Sequence, residues 1–281
     1  RSALHNLASL RISRPVLPYP RSRRAAVLIA LFVGRMGDLY VLLSRRAATL
    51  RTYAGDTALP GGKLDREDST IEDTARREAY EEIGLPRDKQ RIPLLCVLDP
   101  FLAGNEILVT PVVVLILDNT VRPILNAPEV HTLFSHPLAS FLSTSAPFAT
   151  DTASGTDVSS DTDTNAERAA SATRIPERFV RMHRFLTGRE SGGIKPVFGL
   201  TAAILIHTAA LAYARPPAFD VYAPHQPSTA ARVAWALRYV PALRQACIAE
   251  GMDPDGTASV WEPDGLREAS KKRSARKWAK L

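Results

Sequence analysis

A glycine turn that runs into a short acidic helix is the feature that most constrains this chain. Residues 59–62 read LPGG and predict a rigid turn. Residues 69–83 predict the helix, with Ser69 and Glu72 as a capping box at its start and Gly84 as its left-handed end. Apolar residues recur at every fourth position of this helix, namely Ile71, Ala75, Ala79 and Ile83. The stretch therefore predicts a helix that packs one face on a core.

Three carboxylates share another face of the same helix. Glu78, Glu81 and Glu82 stand at i, i+3 and i+4. Like charges this close repel one another, and a bound divalent cation would relieve the repulsion. Carboxylate oxygens favour Mg²⁺ or Mn²⁺, and glycine lets backbone carbonyls approach the same cation. On the carboxylates alone, an ordinary exposed glutamate-rich helix is an equally good interpretation.

Residues 62–85 resemble the Nudix box, whose pattern is G-x5-E-x7-R-E-U-x-E-E-x-G-U, with U a bulky apolar residue. The matching residues are Gly62, Arg77, Glu78, Glu81, Glu82, Gly84 and Leu85. Asp68 replaces the first Glu, Ala79 is small for its position, and one extra residue precedes Arg77. The extra residue is typical of the coenzyme A branch of the family.

A second motif lies immediately upstream of the glycine turn. Coenzyme A diphosphatases resemble one another in L-L-T-x-R-[SA]-x3-R-x3-G-x3-F-P-G-G. The residues of this chain at those spacings are Leu42, Leu43, Ser44, Arg46, Ala47, Arg51, Gly55, Leu59, Pro60, Gly61 and Gly62. The resemblance implies that Arg46, Arg51 and Gly61 bind the substrate, since guanidinium groups suit phosphates. A structural role, in which either arginine pairs with helix acids, remains open.

The resemblance implies the fold, the chemistry and the roles of the acids. It covers residues 25–215, including weaker likenesses at 110–113 and 198–202, and implies an α/β/α sandwich with a mixed central sheet. It implies metal-dependent hydrolysis of coenzyme A and its derivatives. Gly62, Glu78, Glu81 and Glu82 would hold Mg²⁺ or Mn²⁺, and Arg77 would orient the glutamates. Glu129, in residues 126–130, would be a further acidic residue near the metals, acting as a ligand or a base, or else a surface glutamate after a turn.

The substrate class has alternatives within and outside this branch. A Nudix enzyme could instead cleave NADH, ADP-ribose or a nucleoside triphosphate. A non-catalytic Nudix module could bind nucleotide or RNA through basic tails. The intact glutamates at 78, 81 and 82 argue against that second alternative.

The hydrophobic pattern predicts the elements around this segment. Strands are expected at 25–33, 39–43, 92–98, 107–117, 179–185 and 196–198, a loop at 45–62, and helices at 200–213 and 229–250. Residues 143–173 hold 13 serines and threonines among 31 residues, which predicts a disordered insertion. The organisation is then a basic arm at 1–24, a Nudix domain at 25–215 and an extension with a basic tail at 216–281.

The distribution of charge argues against a nucleic-acid partner. The net charge of +7 divides into +6 on residues 1–24 and +6 on 266–281, which leaves −5 on the body of the chain. A nucleic-acid binder should carry its basic surface on the folded body. The longest uncharged run, residues 196–214, contains Pro196, Gly199 and His207 and predicts a buried strand and helix rather than a membrane span.

The end of the printed sequence predicts a cellular address. Ala279-Lys280-Leu281 resembles the peroxisomal signal Ser-Lys-Leu and would engage a peroxisomal import receptor. A nuclear signal in residues 271–277 and a mitochondrial presequence in the arginine-rich start are the alternatives. Leu4, Leu7 and Leu10 of that start could equally form a structural helix.

Overall fold

The computed structural model describes residues 2–10, 17–118, 120–145 and 180–262. The predicted insertion beyond residue 145 and the tripeptide 279–281 lie outside these ranges. The strands of the described residues are β1 (Arg24–Val33), β2 (Leu39–Arg46), β3 (Thr57–Ala58), β4 (Gly61–Lys63), β5 (Leu94–Val97), β6 (Phe101–Leu102), β7 (Leu108–Leu115), β8 (Val130–Pro137), β9 (Arg184–Phe185) and β10 (Val197–Phe198). The α-helices are α1 (Ser2–Ser9), α2 (Ile71–Ile83), α3 (Gly199–Tyr213), α4 (Thr229–Tyr239), α5 (Pro241–Ala249) and α6 (Pro254–Trp261).

The described residues group into two compact units. The first unit contains those among Arg1–Asn6, Val33–Ala58 and Ala127–Gln226. The second unit contains those among Leu7–Phe32, Leu59–Asn126 and Pro227–Leu281. The domain boundaries expected from the sequence, at 24/25 and 215/216, stay a prediction.

A mixed sheet forms the core of the second unit. β1 and β7 pair in parallel, from Arg24 opposite Leu108 to Leu31 opposite Leu115. β4 runs antiparallel to β1, and β5 and β6 run antiparallel to β7. The middle of β1 is buried on both faces, as expected for a strand covered by other elements on each side. Together with the helices, this sheet confirms the predicted α/β sandwich class.

The N-cap of helix α2 lies one residue later than the sequence predicted, and the helix spans Ile71–Ile83 rather than 69–83. Thr70 is its N-cap: its hydroxyl accepts from the Asp73 N–H at 3.1 Å, and Asp73 accepts from the Thr70 N–H at 2.9 Å. The predicted Ser69–Glu72 pair is therefore wrong. Glu72 instead accepts a bond from Arg76 at 2.7 Å. Gly84 ends the helix in the left-handed conformation, as predicted.

The first unit is built on an antiparallel sheet in which β2 lies between β3 and β8. β8 was not predicted, because His131, Ser135 and His136 interrupt its alternation of apolar residues. β3 and the first two residues of β4 fall within the stretch predicted as a loop. Of the predicted strand 179–185, only Arg184–Phe185 is a strand among its described residues.

The C-terminal helices α4, α5 and α6 pack around a hydrophobic cluster in the second unit. The predicted helix 229–250 is wrong as a single element, because Pro241 lacks an N–H and separates α4 from α5. Residues of α4, α5 and α6 form one buried hydrophobic cluster with Tyr19, Leu102 and Leu108. Trp261 donates its ring N–H to the Pro18 carbonyl at 2.8 Å. The segment around residues 17–20 is thus bound to the chain beyond residue 227.

Candidate active site

The glycine turn and helix α2 meet at one end of the mixed sheet, and both belong to the second unit. The sequence predicted Gly61, Gly62, Arg77, Glu78, Glu81 and Glu82 as site residues there. β4 brings the two glycines against α2. The structure therefore brings these six residues together.

Close backbone approach explains why glycine occupies position 61. Residue 61 pairs with Val27 of β1, and the Leu28 N–H donates to the Pro60 carbonyl at 2.8 Å. A Cβ on Gly61 would stand 2.3 Å from the Ala26 carbonyl oxygen and 2.7 Å from the Val27 Cα. Those neighbours are backbone atoms of a central strand, so they cannot move aside cheaply.

Gly62 has a different neighbour. A Cβ at this position would lie 2.4 Å from the carboxyl carbon of Glu78. The Glu78 carboxylate thus rests against the backbone of the turn, in space that any other residue would fill. Beside it, the Gly61 N–H donates to Glu82 at 3.3 Å.

Arg77 connects the acidic side chains to one another. Its Nη1 donates to Glu78 at 2.9 Å and to Glu81 at 3.1 Å. Its Nη2 donates to the Lys63 carbonyl at 3.0 Å, so the guanidinium also contacts the strand that contains Gly62. Its bonds with Asp68 and Glu78 raise the pKa of Arg77, against the opposing effect of burial, so it stays charged.

The three glutamates differ in their exposure to solvent. Glu82 is 5% exposed, the Glu78 side chain is 19% exposed and the Glu81 side chain is 47% exposed. The row therefore runs from the interior at Glu82 to the surface at Glu81. A charged group entering from solvent would meet Glu81 and Glu78 before the buried Glu82.

Asp68 is a site residue that the sequence analysis did not select. Its carboxylate accepts from Arg77 Nε at 3.1 Å and from Nη2 at 3.0 Å, and also from the Asp65 N–H at 2.9 Å. Burial alone would raise its pKa, but hydrogen bonds from Arg77, Asp65 and Thr74 outweigh burial and lower the pKa to about 2. The signal was present, because Asp68 occupies the place of the first glutamate in the box pattern.

The donor chemistry of this cluster suits a hard divalent cation. Carboxylate oxygens and the Gly62 carbonyl are the ligand types that Mg²⁺ and Mn²⁺ prefer. The missing side chain at Gly62 leaves room for the Glu78 carboxylate beside that carbonyl. Within the described ranges, no three His, Cys, Asp or Glu side chains converge closely enough to hold a metal ion in this conformation. Glu78 and Glu81 are instead bonded to Arg77.

The remaining predicted site residues lie in the first unit. Arg46 ends β2 opposite Val130, and the Ala47 N–H donates to the Glu129 carbonyl at 2.8 Å. The structure therefore brings Arg46, at the end of β2, close to Glu129, in the turn immediately before β8. Arg51 is exposed in the loop that joins β2 to β3.

Lys195 fixes the end of that loop. Its ammonium lies 2.6 Å from Asp56 and donates to the Ala54 carbonyl at 2.9 Å. Its own carbonyl accepts from the Thr57 hydroxyl at 2.5 Å. The β2–β3 loop, which carries Arg51, is thus bonded to a residue more than a hundred positions further along the chain.

Among the residues that the structure describes, no helix is both long and apolar enough to cross a bilayer.

Comparison with known proteins identifies the domain that contains the acidic cluster. Residues 22–151 match the NUDIX domain. The chain is 36% identical to "Nudix hydrolase 15, mitochondrial" of Arabidopsis thaliana over 201 residues, 71% of this chain and 62% of the plant protein. It is 53% identical to "Peroxisomal coenzyme A diphosphatase 1, peroxisomal" of Saccharomyces cerevisiae over 72 residues, 26% of this chain and 21% of the yeast protein. It is 38% identical to "Peroxisomal coenzyme A diphosphatase NUDT7" of Mus musculus over 121 residues, 43% of this chain and 50% of the mouse protein.

These matches do not span whole relatives. The alignments with the plant proteins extend over about three-fifths of the length of those relatives. The matched residues 22–151 include the glycine turn, Asp68, Arg77 and the three glutamates. The chain therefore contains a NUDIX domain, which holds the acidic cluster.

Proposed function

We propose that this protein hydrolyses the pyrophosphate of coenzyme A and its derivatives. The products would be 3′,5′-ADP and 4′-phosphopantetheine or its acyl form. The observation that carries the proposal is the Arg77-centred carboxylate cluster beside Gly62 in a NUDIX domain. The upstream motif with Arg46 and Arg51, and the likeness to two proteins named as coenzyme A diphosphatases, support this substrate.

The acidic cluster would supply the metal site of the reaction. Glu78, Glu81, Glu82 and the Gly62 carbonyl would hold Mg²⁺ or Mn²⁺. When bound, such a cation polarises phosphate oxygens and lowers the pKa of a bound water. Arg77 would keep Glu78 and Glu81 in place through the bonds described above.

The hydrolysis itself is a single displacement. A water oxygen adds to one phosphorus of the pyrophosphate, the bridging P–O bond breaks, and the other phosphate leaves. Glu129 is our candidate for accepting the proton of that water or for a further metal contact. No covalent intermediate on the protein is needed.

Arg46 and Arg51 would bind the phosphates of the substrate. Coenzyme A carries a pyrophosphate and a 3′-phosphate, and each guanidinium offers paired N–H donors that suit phosphate oxygens. The exposed position of Arg51, in a loop held at its end by Lys195, supports such a role.

A peroxisomal location is part of the proposal. The yeast and mouse relatives carry that location in their names, whereas the plant relatives are named mitochondrial and chloroplastic. A fluorescent protein followed by residues 261–281 should enter peroxisomes. The same fusion without Leu281 should remain in the cytosol. Nuclear accumulation of the first fusion would contradict this location.

Product analysis tests the substrate. The purified protein is incubated with Mg²⁺ and, separately, with coenzyme A, NADH, ADP-ribose and a nucleoside triphosphate, and the products are identified by mass spectrometry. We expect coenzyme A to give 3′,5′-ADP and 4′-phosphopantetheine, and to have the highest kcat/KM of the four substrates. A higher kcat/KM for another substrate would overturn the coenzyme A proposal but retain a Nudix hydrolase, and absence of hydrolysis of all four would overturn both.

A further inference from the structure

An arginine one residue before the matched NUDIX region is fixed at its backbone by the C-terminal helices. The Arg21 N–H donates to Glu250 Oε2 at 2.6 Å. The N–H and hydroxyl of Ser22 donate to Glu250 Oε1 at 2.9 and 2.7 Å. Glu250 is the residue at the C-terminal end of α5. Its carboxylate thus holds the backbone of residues 21–22 from a position 229 residues away in sequence.

The side chain of Arg21 reaches the loop that precedes α2. Its Nη2 donates to the carbonyls of Asp65 and Asp68, both at 2.8 Å. A third carbonyl, that of Arg66, lies 3.5 Å from the same nitrogen. One guanidinium therefore binds the start and the end of the turn 65–68.

The 65–68 turn contains Asp68, whose carboxylate holds Arg77 beside the acidic cluster. Asp68 accepts two bonds from Arg77, and Arg77 in turn contacts Glu78 and Glu81. A continuous series of polar contacts thus runs within the second unit from Glu250 through Arg21 and Asp68 to Arg77.

The geometry points to a positioning role for Arg21 and Glu250: they hold the 65–68 turn so that Asp68 and Arg77 present Glu78 and Glu81 correctly for a divalent cation. This inference rests on the proposed metal-dependent function. It extends the site beyond residues 22–151, to an arginine of the basic N-terminal segment and a glutamate of the C-terminal segment.

A purely stabilising role fits the observations less well. Arg21, Ser22 and Glu250 are exposed, and polar contacts at the surface contribute little to stability. Their contacts converge instead on backbone carbonyls of a turn that is itself exposed except at Asp68. Loss of these contacts should therefore change the position of the turn more than the stability of the fold.

Metal binding by the whole protein tests the inference directly. Arg21→Ala and Glu250→Gln are compared with wild type for Mn²⁺ binding by electron paramagnetic resonance, without substrate. Replacing a group that orients a metal ligand typically weakens metal binding by about 10- to 100-fold. Arg21 and Glu250 contact the 65–68 turn rather than a metal ligand, so their replacement should have a smaller effect. We expect Kd for Mn²⁺ to rise about three- to tenfold. The KM for substrate at saturating Mg²⁺ should stay within about twofold of wild type.

Combined variants identify the route of the effect. Adding Glu250→Gln to Arg21→Ala should weaken Mn²⁺ binding no further, because both changes release the same turn. Arg21→Lys keeps a cation whose single nitrogen can also donate to both carbonyls, but on a more flexible side chain, so its Kd should fall between those of wild type and Arg21→Ala.

Arg244→Ala is the matched control. Arg244 forms a two-point ion pair with Asp255, at 3.0 and 3.1 Å, between α5 and α6. It belongs to the same C-terminal helices but makes no contact with the 65–68 turn in the bonds described above. Its Kd for Mn²⁺ should equal that of wild type.

Two results separate failure of this inference from failure of the proposed function. Wild-type Mn²⁺ affinity in both Arg21→Ala and Glu250→Gln, or equal weakening in Arg244→Ala, overturns the positioning role alone. Absence of Mn²⁺ binding by the wild-type protein overturns the proposed metal site, and the positioning role with it.

Discussion

Arg77 and Asp68 form a two-point ion pair, with Nε 3.1 Å from Oδ1 and Nη2 3.0 Å from Oδ2. The pair fixes the rotation of the guanidinium, so that its third nitrogen faces Glu78 and Glu81. If the positively charged guanidinium of Arg77 were free to move, it would compete with a metal ion for the carboxylates of Glu78 and Glu81. Because Asp68 holds Arg77, the guanidinium can bond Glu78 and Glu81 while the Glu78 carboxylate stays against the backbone of Gly62.

Asp68→Asn should lower stability in a pH-dependent way. The pKa of Asp68 is about 2 in the folded protein, below its ordinary value of 3.8, so the ionised form stabilises the fold at pH 7. The difference corresponds to about 2 kcal/mol at pH 7. This contribution is complete above about pH 4 and is lost as the pH falls through about 2. Urea unfolding at pH 7 and pH 3 should show that the gap between wild type and variant shrinks by about half.

Asp118→Asn is the control for this prediction. The pKa of Asp118 is also about 2, because it accepts hydrogen bonds from Thr120 and Arg91. It lies outside the acidic cluster, so its replacement should leave kcat unchanged, whereas Asp68→Asn should lower kcat. Equal activity in the two variants would contradict the role of Asp68 in ordering Arg77.

Gly61→Ala should lower the stability of the protein, whereas Gly62→Ala should lower its activity. The new Cβ at 61 would meet backbone atoms of β1, so we expect a loss of about 1–3 kcal/mol of stability. The new Cβ at 62 would meet the carboxylate of Glu78, the end of a side chain that can swing away. Gly62→Ala should therefore remain folded and lose activity. Thermal unfolding and kcat, measured together, test this, and a stable, fully active Gly62→Ala protein would refute it.

Replacing the glutamates should stop the reaction without unfolding the protein. Glu82→Gln should abolish turnover, with Glu81→Gln and Glu78→Gln close behind. Breaking a metal-bound catalytic centre typically costs 10³-fold or more, about 4 kcal/mol of barrier. Glu72→Gln on the same helix is the control, because Glu72 pairs with Arg76 and not with Arg77. The metal assignment is wrong if all three variants keep more than a tenth of wild-type kcat at saturating Mg²⁺.

Short-range geometry made the acidic cluster predictable. Glu78 and Glu82 share a face because one helical turn separates them, and no tertiary information is needed to know it. Gly84 likewise ends α2 as its local chemistry requires. Where two local solutions compete, the sequence does not choose between them. Ser69 with Glu72 and Thr70 with Asp73 both fit a capping box; the structure has the second, and Glu72 accepts a bond from Arg76 instead.

Contacts between distant segments could not be predicted. Nothing near Arg21 in the sequence indicates that Glu250 binds its backbone or that its side chain spans the 65–68 turn. By contrast, the break before Pro241 was signalled by the proline itself. The apolar periodicity of residues 229–250 continues across it, which made two helices resemble one.

Arg46→Ala and Arg51→Ala test whether this protein recognises the 3′-phosphate of coenzyme A. A guanidinium that faces this phosphate loses its partner only when the phosphate is present. At one or both positions, the variant should therefore raise the KM for coenzyme A about tenfold, as expected for a charge-assisted hydrogen bond, and raise the KM for 3′-dephospho-coenzyme A less. Arg35→Ala, an exposed arginine in the turn between β1 and β2, should change neither KM. Equal increases for both substrates at both positions would exclude these arginines from 3′-phosphate recognition and leave them a role at the pyrophosphate or in the fold.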